Sequence, residues 1–178
     1  PLHIAIKLEY LNIVELLLSH QKIDVSIIGK NKKTVLHYAC DKGNTELVKL
    51  LLKKEELDVC AIDNNNRTLL HSSCESGNDE LVKFIIKMDK IDINAKDNEQ
   101  KTILHYACES EDYELVKYMI PLDIDINAKD DNERSILHYL CQSGNLDIVK
   151  HISNIAEANF DVRDNQGHYY MKHVLLEM

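Results

Sequence analysis

The chain has 178 residues, 44% of them apolar and 29% charged, which supports a packed interior and excludes an extended disordered polymer. Its five glycines and two prolines are too few for a collagen-like or turn-rich all-β chain. The net charge of -9 is uneven: residues 1–90 carry 13 basic and 13 acidic side chains, whereas residues 91–178 carry 8 and 17. An acidic half repels phosphate, so nucleic acid is excluded as a partner. No apolar run approaches the roughly 20 residues of a bilayer span, so membrane insertion is excluded as well. Five cysteines without a Cys-x-x-Cys pair argue against a disulfide framework and for a reducing, cytoplasmic or otherwise intracellular setting. The opening at Pro1, without an initiator Met, predicts a piece of a longer protein.

In chain order, the same segment returns. Pro1-Leu2-His3-Ile4-Ala5 is followed by Thr34-Val35-Leu36-His37-Tyr38-Ala39-Cys40, then Thr68-Leu69-Leu70-His71-Ser72-Ser73-Cys74. Thr102-Ile103-Leu104-His105-Tyr106-Ala107-Cys108 and Ser135-Ile136-Leu137-His138-Tyr139-Leu140-Cys141 complete the series. Gly43-Asn44, Gly77-Asn78 and Gly144-Asn145 keep the phase, as do Glu46-Leu47-Val48-Lys49 and its echoes from Glu80, Glu114 and Asp147. Four units close on an Asp-aliphatic pair, Asp24-Val25, Asp58-Val59, Asp92-Ile93 and Asp125-Ile126, and the last two are followed by Asn94-Ala95-Lys96-Asp97 and Asn127-Ala128-Lys129-Asp130.

Taking residues 34–67 as one unit, Thr34 suits a helix N-cap. Leu36, Ala39 and Cys40 form an apolar stripe at helical spacing, and Gly43 supplies a positive φ to end that helix. A second helix is expected from about Thr45, itself a cap candidate, and is apolar on more than one side through Leu47, Val48, Leu50, Leu51 and Leu52. Neither helix is long enough to persist alone, so each must bury its stripe against neighbouring units. Asp63-Asn64-Asn65-Asn66-Arg67 reads as a projecting polar turn. Where such turns call for glycine the chain places Lys32, Asn66, Gln100 and Glu133, and Glu9 and Glu111 replace the glycine between helices. These positions are expected to carry the cost of left-handed backbone. A last helix is expected from Tyr170 to about Leu176, with Lys172 in the histidine's place.

The Thr-x-Leu-His-x-Ala core, the period near 33 and the Asp-x-Asn-Ala-x-Asp ending make the chain resemble the ankyrin-repeat family over essentially all of its length. The resemblance implies an all-α ankyrin-repeat solenoid of stacked helix-turn-helix units with projecting turns. The expected units are 1–28, 29–62, 63–96, 97–129 and 130–163, with a partial one at 164–178, in a single domain. It also implies that His37, His71, His105 and His138 are structural, each held by the Thr or Ser of its own motif and by backbone. No cofactor is expected.

Four His-x-x-Cys pairs, such as His37/Cys40, invite a metal reading. Helices stacked roughly 8–10 Å apart cannot bring their ligands within the ~2.0–2.3 Å of a common zinc ion. A Cys-His nucleophile is equally poorly supported, because a pair repeated in every unit is a packing device and a catalyst needs one site. There is no phosphate-cradling glycine loop and no His-Glu-x-x-His. Acid pairs such as Asp130/Asp131 fall in expected surface turns and read as solvated. Cys60 reads as a semi-exposed loop thiol, and Tyr38, Tyr106 and Tyr139 as an aromatic row packed between units.

The resemblance implies recognition through turns and first helices, at the positions the repeat leaves free to vary. Those positions are Lys30, Asn31 and Lys33, then Asn64, Asn65, Arg67 and Glu75, then Asn98, Glu99, Lys101 and Glu109, and finally Asp131, Asn132 and Arg134. The expected function is a non-catalytic module binding a protein or peptide, basic toward the second half of the chain, with the module itself a monomer. The alternative is a substrate-recruiting or regulatory region of a larger enzyme of kinase or ubiquitin-ligase type.

Overall fold

The computed structural model describes residues 1–20, 22–155, 159 and 163–167. The helix expected from Tyr170, with Lys172, lies outside the described residues. Those residues form ten α-helices, one 3-10 turn and no strand: α1 (Leu2–Lys7), α2 (Leu11–Ser19), α3 (Val35–Asp41), α4 (Thr45–Leu51), α5 (Leu69–Glu75), α6 (Asp79–Ile86), α7 (Ile103–Glu109), α8 (Tyr113–Met119), α9 (Ile136–Ser143) and α10 (Leu146–Ser153). This is the all-helical arrangement of helix-turn-helix units that the sequence predicts. No described helix is long and apolar enough to cross a membrane.

The chain divides into two compact units, Pro1–Asp92 and Ile93–Met178. In the first, α1, α3 and α5 pack in succession, and each also packs on its own second helix, α2, α4 or α6. In the second, α7 packs on α9, and α8 and α10 pack on α7 and α9 respectively. The cores follow the predicted stripes. Leu36, Leu47, Leu51, Leu70, Leu81 and Ile85 are fully buried in the first unit, as are Leu104, Val116, Met119, Leu140 and Ile152 in the second. Helices of six to nine residues gain almost all their stability from this burial.

From the second hairpin onward both helices are capped by side chains, one of them not where the sequence suggested. Thr34, Thr68, Thr102 and Ser135 are N-caps in reciprocal capping boxes with His37, His71, His105 and His138, so imidazole plays the part usually taken by Glu or Gln. For the second helices, Asn44, and not Thr45, is the cap. Its Oδ1 accepts from Leu47 N–H at 2.9 Å, and Asn78, Asp112 and Asn145 do the same for Leu81, Leu115 and Ile148. An Asx oxygen reaches the third helical N–H from the N-cap, which leaves Thr45 as the first helical residue.

The residues in glycine's place do adopt left-handed backbone. Glu9, Lys32, Asn66, Gln100, Glu111 and Glu133 have φ between 55° and 60°, a conformation costing an ordinary L-residue roughly 1–2 kcal/mol.

Candidate functional site

After the first, which has Gly29 in its place, the projecting turns are each built on a buried aspartate. Asp63 Oδ1 accepts from Asn65 N–H (2.7 Å) and Arg67 N–H (3.0 Å), Asp97 Oδ1 accepts from Glu99 and Lys101, and Asp130 Oδ1 from Asn132 and Arg134. Asp130 is only 3% exposed, so the expectation of a solvated Asp130/Asp131 pair holds for Asp131 alone. The turn needs a carboxylate facing inward to satisfy its own amides. The tips are joined by backbone: Asn64 N–H donates to Asn31 O at 2.8 Å in the first unit, and Asp131 N–H to Glu99 O at 2.9 Å in the second.

The histidines fix the first helices beneath these turns. Thr34 N–H donates to His37 Nδ1 (3.3 Å), which leaves the ring proton on Nε2 to donate to Arg67 O of the next turn (3.1 Å). His105 does likewise with Thr102 (3.1 Å) and Arg134 O (3.2 Å). The backbone partner thus belongs to the following repeat, so the histidine joins repeats as well as capping its own helix. Burial holds His37, His105 and His138 below the usual imidazole pKa, partly offset by nearby hydrogen bonds and carboxylates. Burial also pushes the Cys40 and Cys108 thiols far up, and that of Cys141 to about 11, so none of the three is a nucleophile at neutral pH. Cys60 is exposed and takes the place held by Asn94 and Asn127 in later repeats. Among the described residues no group of three or more His, Cys, Asp or Glu is placed to hold a metal ion.

The tyrosine position is coupled to the turn aspartate. Tyr106 Oη donates to Asp97 Oδ2 at 2.7 Å and Tyr139 Oη to Asp130 Oδ2 at 2.6 Å. Where the aspartate gives way to Gly29, Tyr38 swings into the vacant place, and a Cβ on Gly29 would lie 2.7 Å from its Cε2 and Oη. Where the tyrosine gives way to Ser72, Asp63 Oδ2 and Ser72 Oγ are enclosed with no hydrogen-bond partner. The tyrosines are 6–8% exposed and pack on histidine edges, Tyr38 on His3 and Tyr139 on His105, with ring centroids 5.3 and 5.4 Å apart. Packing between repeats is therefore the observed role of this row.

The sequence-selected contact residues fall into two groups. Lys30, Asn31, Asn64, Asn65, Asn98, Glu99, Asp131 and Asn132 stand exposed at the turn tips. The other six, and Glu99 at its tip, form ion pairs within the chain. Lys33 Nζ lies 2.6 Å from Asp41, Arg67 Nη1 2.8 Å from Glu75, and Lys101 Nζ 2.8 Å from Glu109 and 3.2 Å from Glu99. Burial disfavours the Lys101 ammonium, but Glu109 and Glu99 outweigh it and raise its pKa. The signal for these pairs is present in the sequence as a base and an acid eight residues apart, in three successive repeats. The fourth breaks the rule, because Gln142 stands where the acid is due. Arg134 turns instead to Asp130 (Nε to Oδ2 2.9 Å, Nη2 to Oδ2 2.7 Å) and to Tyr139 Oη (2.8 Å). Burial opposes ionisation of Asp130, but the hydrogen bonds from Tyr139 and Arg134 prevail and hold its carboxyl below the usual range.

A family model described as ankyrin repeats (3 copies) matches residues 2–97 and 91–166. No curated protein matches the chain. Ankyrin repeats are generally protein–protein interaction modules and are typically non-catalytic. With the period, the histidine capping boxes and the matched segments in agreement, the chain belongs to the ankyrin-repeat family.

Proposed function

We propose that the chain is a non-catalytic module that binds a polypeptide through its turn tips and the adjoining ends of its first helices. One observation carries this reading. The framework positions, the histidine capping boxes above all, recur from repeat to repeat, whereas the exposed tip pairs differ between repeats: Lys30 and Asn31, Asn64 and Asn65, Asn98 and Glu99, Asp131 and Asn132. A fixed scaffold presenting variable polar points suits recognition of a partner surface. Exposed Asp131, which makes no ion pair among the described residues, favours a segment that is basic where it meets the second unit, beside Glu99 and Glu133, which pair with Lys101 and Lys129.

The test is selection of peptides from a random displayed library on the immobilised chain, followed by affinity measurement with variants. Asn65→Arg and Asp131→Arg should weaken a selected peptide at least about tenfold. Glu46→Arg and Glu80→Arg, on the exposed sides of α4 and α6, should leave it unchanged. A peptide indifferent to the tip changes and sensitive to the helix changes would refute the assignment.

A further inference from the structure

The interrupted ion-pair series has a geometric consequence in the second unit. In the three regular repeats a basic side chain crosses from the turn to an acid at the end of the first helix. At the fourth, Arg134 folds back onto Asp130 and Tyr139, and its guanidinium lies 4.7 Å from the Tyr139 ring centroid. The space such a crossing side chain would cover is open. It forms a cavity of about 340 Å³ lined by Glu109, Glu111, Arg134, Tyr139, Gln142 and Ser143, with Cys108 also on its wall.

The charges around this cavity are unbalanced. Arg134 is neutralised by Asp130, and Lys101 is shared by Glu99 and Glu109. Glu111 is exposed and makes no ion pair among the described residues, and the Gln142 amide has no hydrogen bond there. The wall thus offers a carboxylate without a counter-charge, the second carboxylate of Glu109 and the amide oxygen of Gln142. All three are acceptors suited to an ammonium or guanidinium.

We infer that this cavity receives one positively charged side chain, Arg or Lys, of a polypeptide partner, which takes the seat a fourth crossing cation would have filled. The assignment rests on the peptide-binding reading above and specifies the residue that such a partner must present. Charge-assisted hydrogen bonds to Glu111 and Glu109 hold the occupant. Glu109, Glu111 and Gln142 are exposed on this wall, so a side chain can reach them from solvent.

The experiment follows amide shifts of the ¹⁵N-labelled chain on titration with acetyl-Gly-Arg-Gly-amide, and with the same peptide carrying citrulline, the neutral analogue of arginine. At low salt the arginine peptide should shift amides at residues 109–111 and 139–143 saturably, and the citrulline peptide should bind at least about fivefold more weakly. Glu111→Gln should weaken the arginine peptide by about the same factor. Gln142→Arg, which supplies the cation from the chain itself, should abolish the shifts while the rest of the spectrum stays in place. Equal binding of both peptides, shifts spread over every acidic turn, or indifference to both variants would overturn the inference. Displayed peptides that depend on the turn tips yet ignore Glu111→Gln would leave the module reading standing and sink this one.

Discussion

Replacing Tyr106 by Phe removes one oxygen and tests how the turns are held. Tyr106 Oη donates to Asp97 Oδ2 at 2.7 Å, and Asp97 is 3% exposed. The other carboxylate oxygen is committed to the amides of Glu99 and Lys101. Without the phenol, Oδ2 has no donor and little water. A hydrogen bond to a charged group lost in this way costs about 1.5–3 kcal/mol. Tyr139→Phe deletes the equivalent bond at Asp130 and also the 2.8 Å bond that Tyr139 Oη accepts from Arg134 Nη2, but Oδ2 keeps Arg134 at 2.9 Å through Nε and 2.7 Å through Nη2, and the part-exposed guanidinium can turn its freed N–H to water. The carboxylate stays paired, and the loss should be nearer about 0.5–1.5 kcal/mol.

Both residues lie in the same compact unit, so one assay compares them: urea unfolding followed by circular dichroism, with the slope held common. Tyr106→Phe should lower the midpoint clearly more than Tyr139→Phe. If Tyr139→Phe is equally or more damaging, the phenol is there for packing alone and the tyrosine–aspartate coupling is mistaken.

The same coupling predicts that Gly29→Ala costs about 1–3 kcal/mol by driving a Cβ into Tyr38, and that Tyr38→Ser in the same chain relieves most of it; thermal melts of the two variants decide. Gln100→Gly, at φ 59°, should raise stability by about 0.5–1 kcal/mol, whereas Gly43→Ala, at φ 61° with Ser76 Oγ 3.0 Å from the new Cβ, should lower it in the same melts. The buried histidines set a pH dependence. Their folded pKa values are depressed, so the unfolded chain binds protons first, and stability should fall as pH drops through the ordinary imidazole value of about 6.5. Urea midpoints between pH 8 and pH 5.5 that stay level would contradict that sign.

The repeat made the helices, the burial stripes and the left-handed turn positions legible, because each rests on short-range chemistry. Thr34 before an apolar stripe is a cap wherever it occurs, and Gln100 in a glycine's place must accept a positive φ if the turn is to close. Two features were harder to see. Thr45 and Asn44 are both good caps, and only the hydrogen-bond geometry chooses between them. Lys33, Arg67 and Lys101 resemble contact residues when one position is compared across repeats. Compared with the position eight residues on, they are halves of ion pairs. Reading down a column of the repeat detects variation, but only reading along the unit detects compensation. Asp130 was misplaced for the same reason: its neighbour Asp131 is solvated, and the alternation between inward and outward acids in the turn is set by amides that composition does not display.

Compensation also separates the framework from the interaction surface more sharply than variability does. Gly29 with Tyr38 and Asp97 with Tyr106 differ in sequence yet close the same turn, so their variation is internal and says nothing about a partner. Asp63 with Ser72 leaves two buried oxygens unmatched, a local cost of about 1–3 kcal/mol each by the usual scale, with no exposed group gained. The break at Gln142 is of another kind. It leaves Arg134 fully paired and moves the unmatched groups, Glu111 and Gln142, to a wall that solvent reaches. A mismatch sealed inside a repeat can only weaken it. A mismatch opened to solvent at no loss of internal pairing is the arrangement that a partner's side chain can complete, and for that reason the fourth turn, rather than the second, is where binding specificity is to be sought.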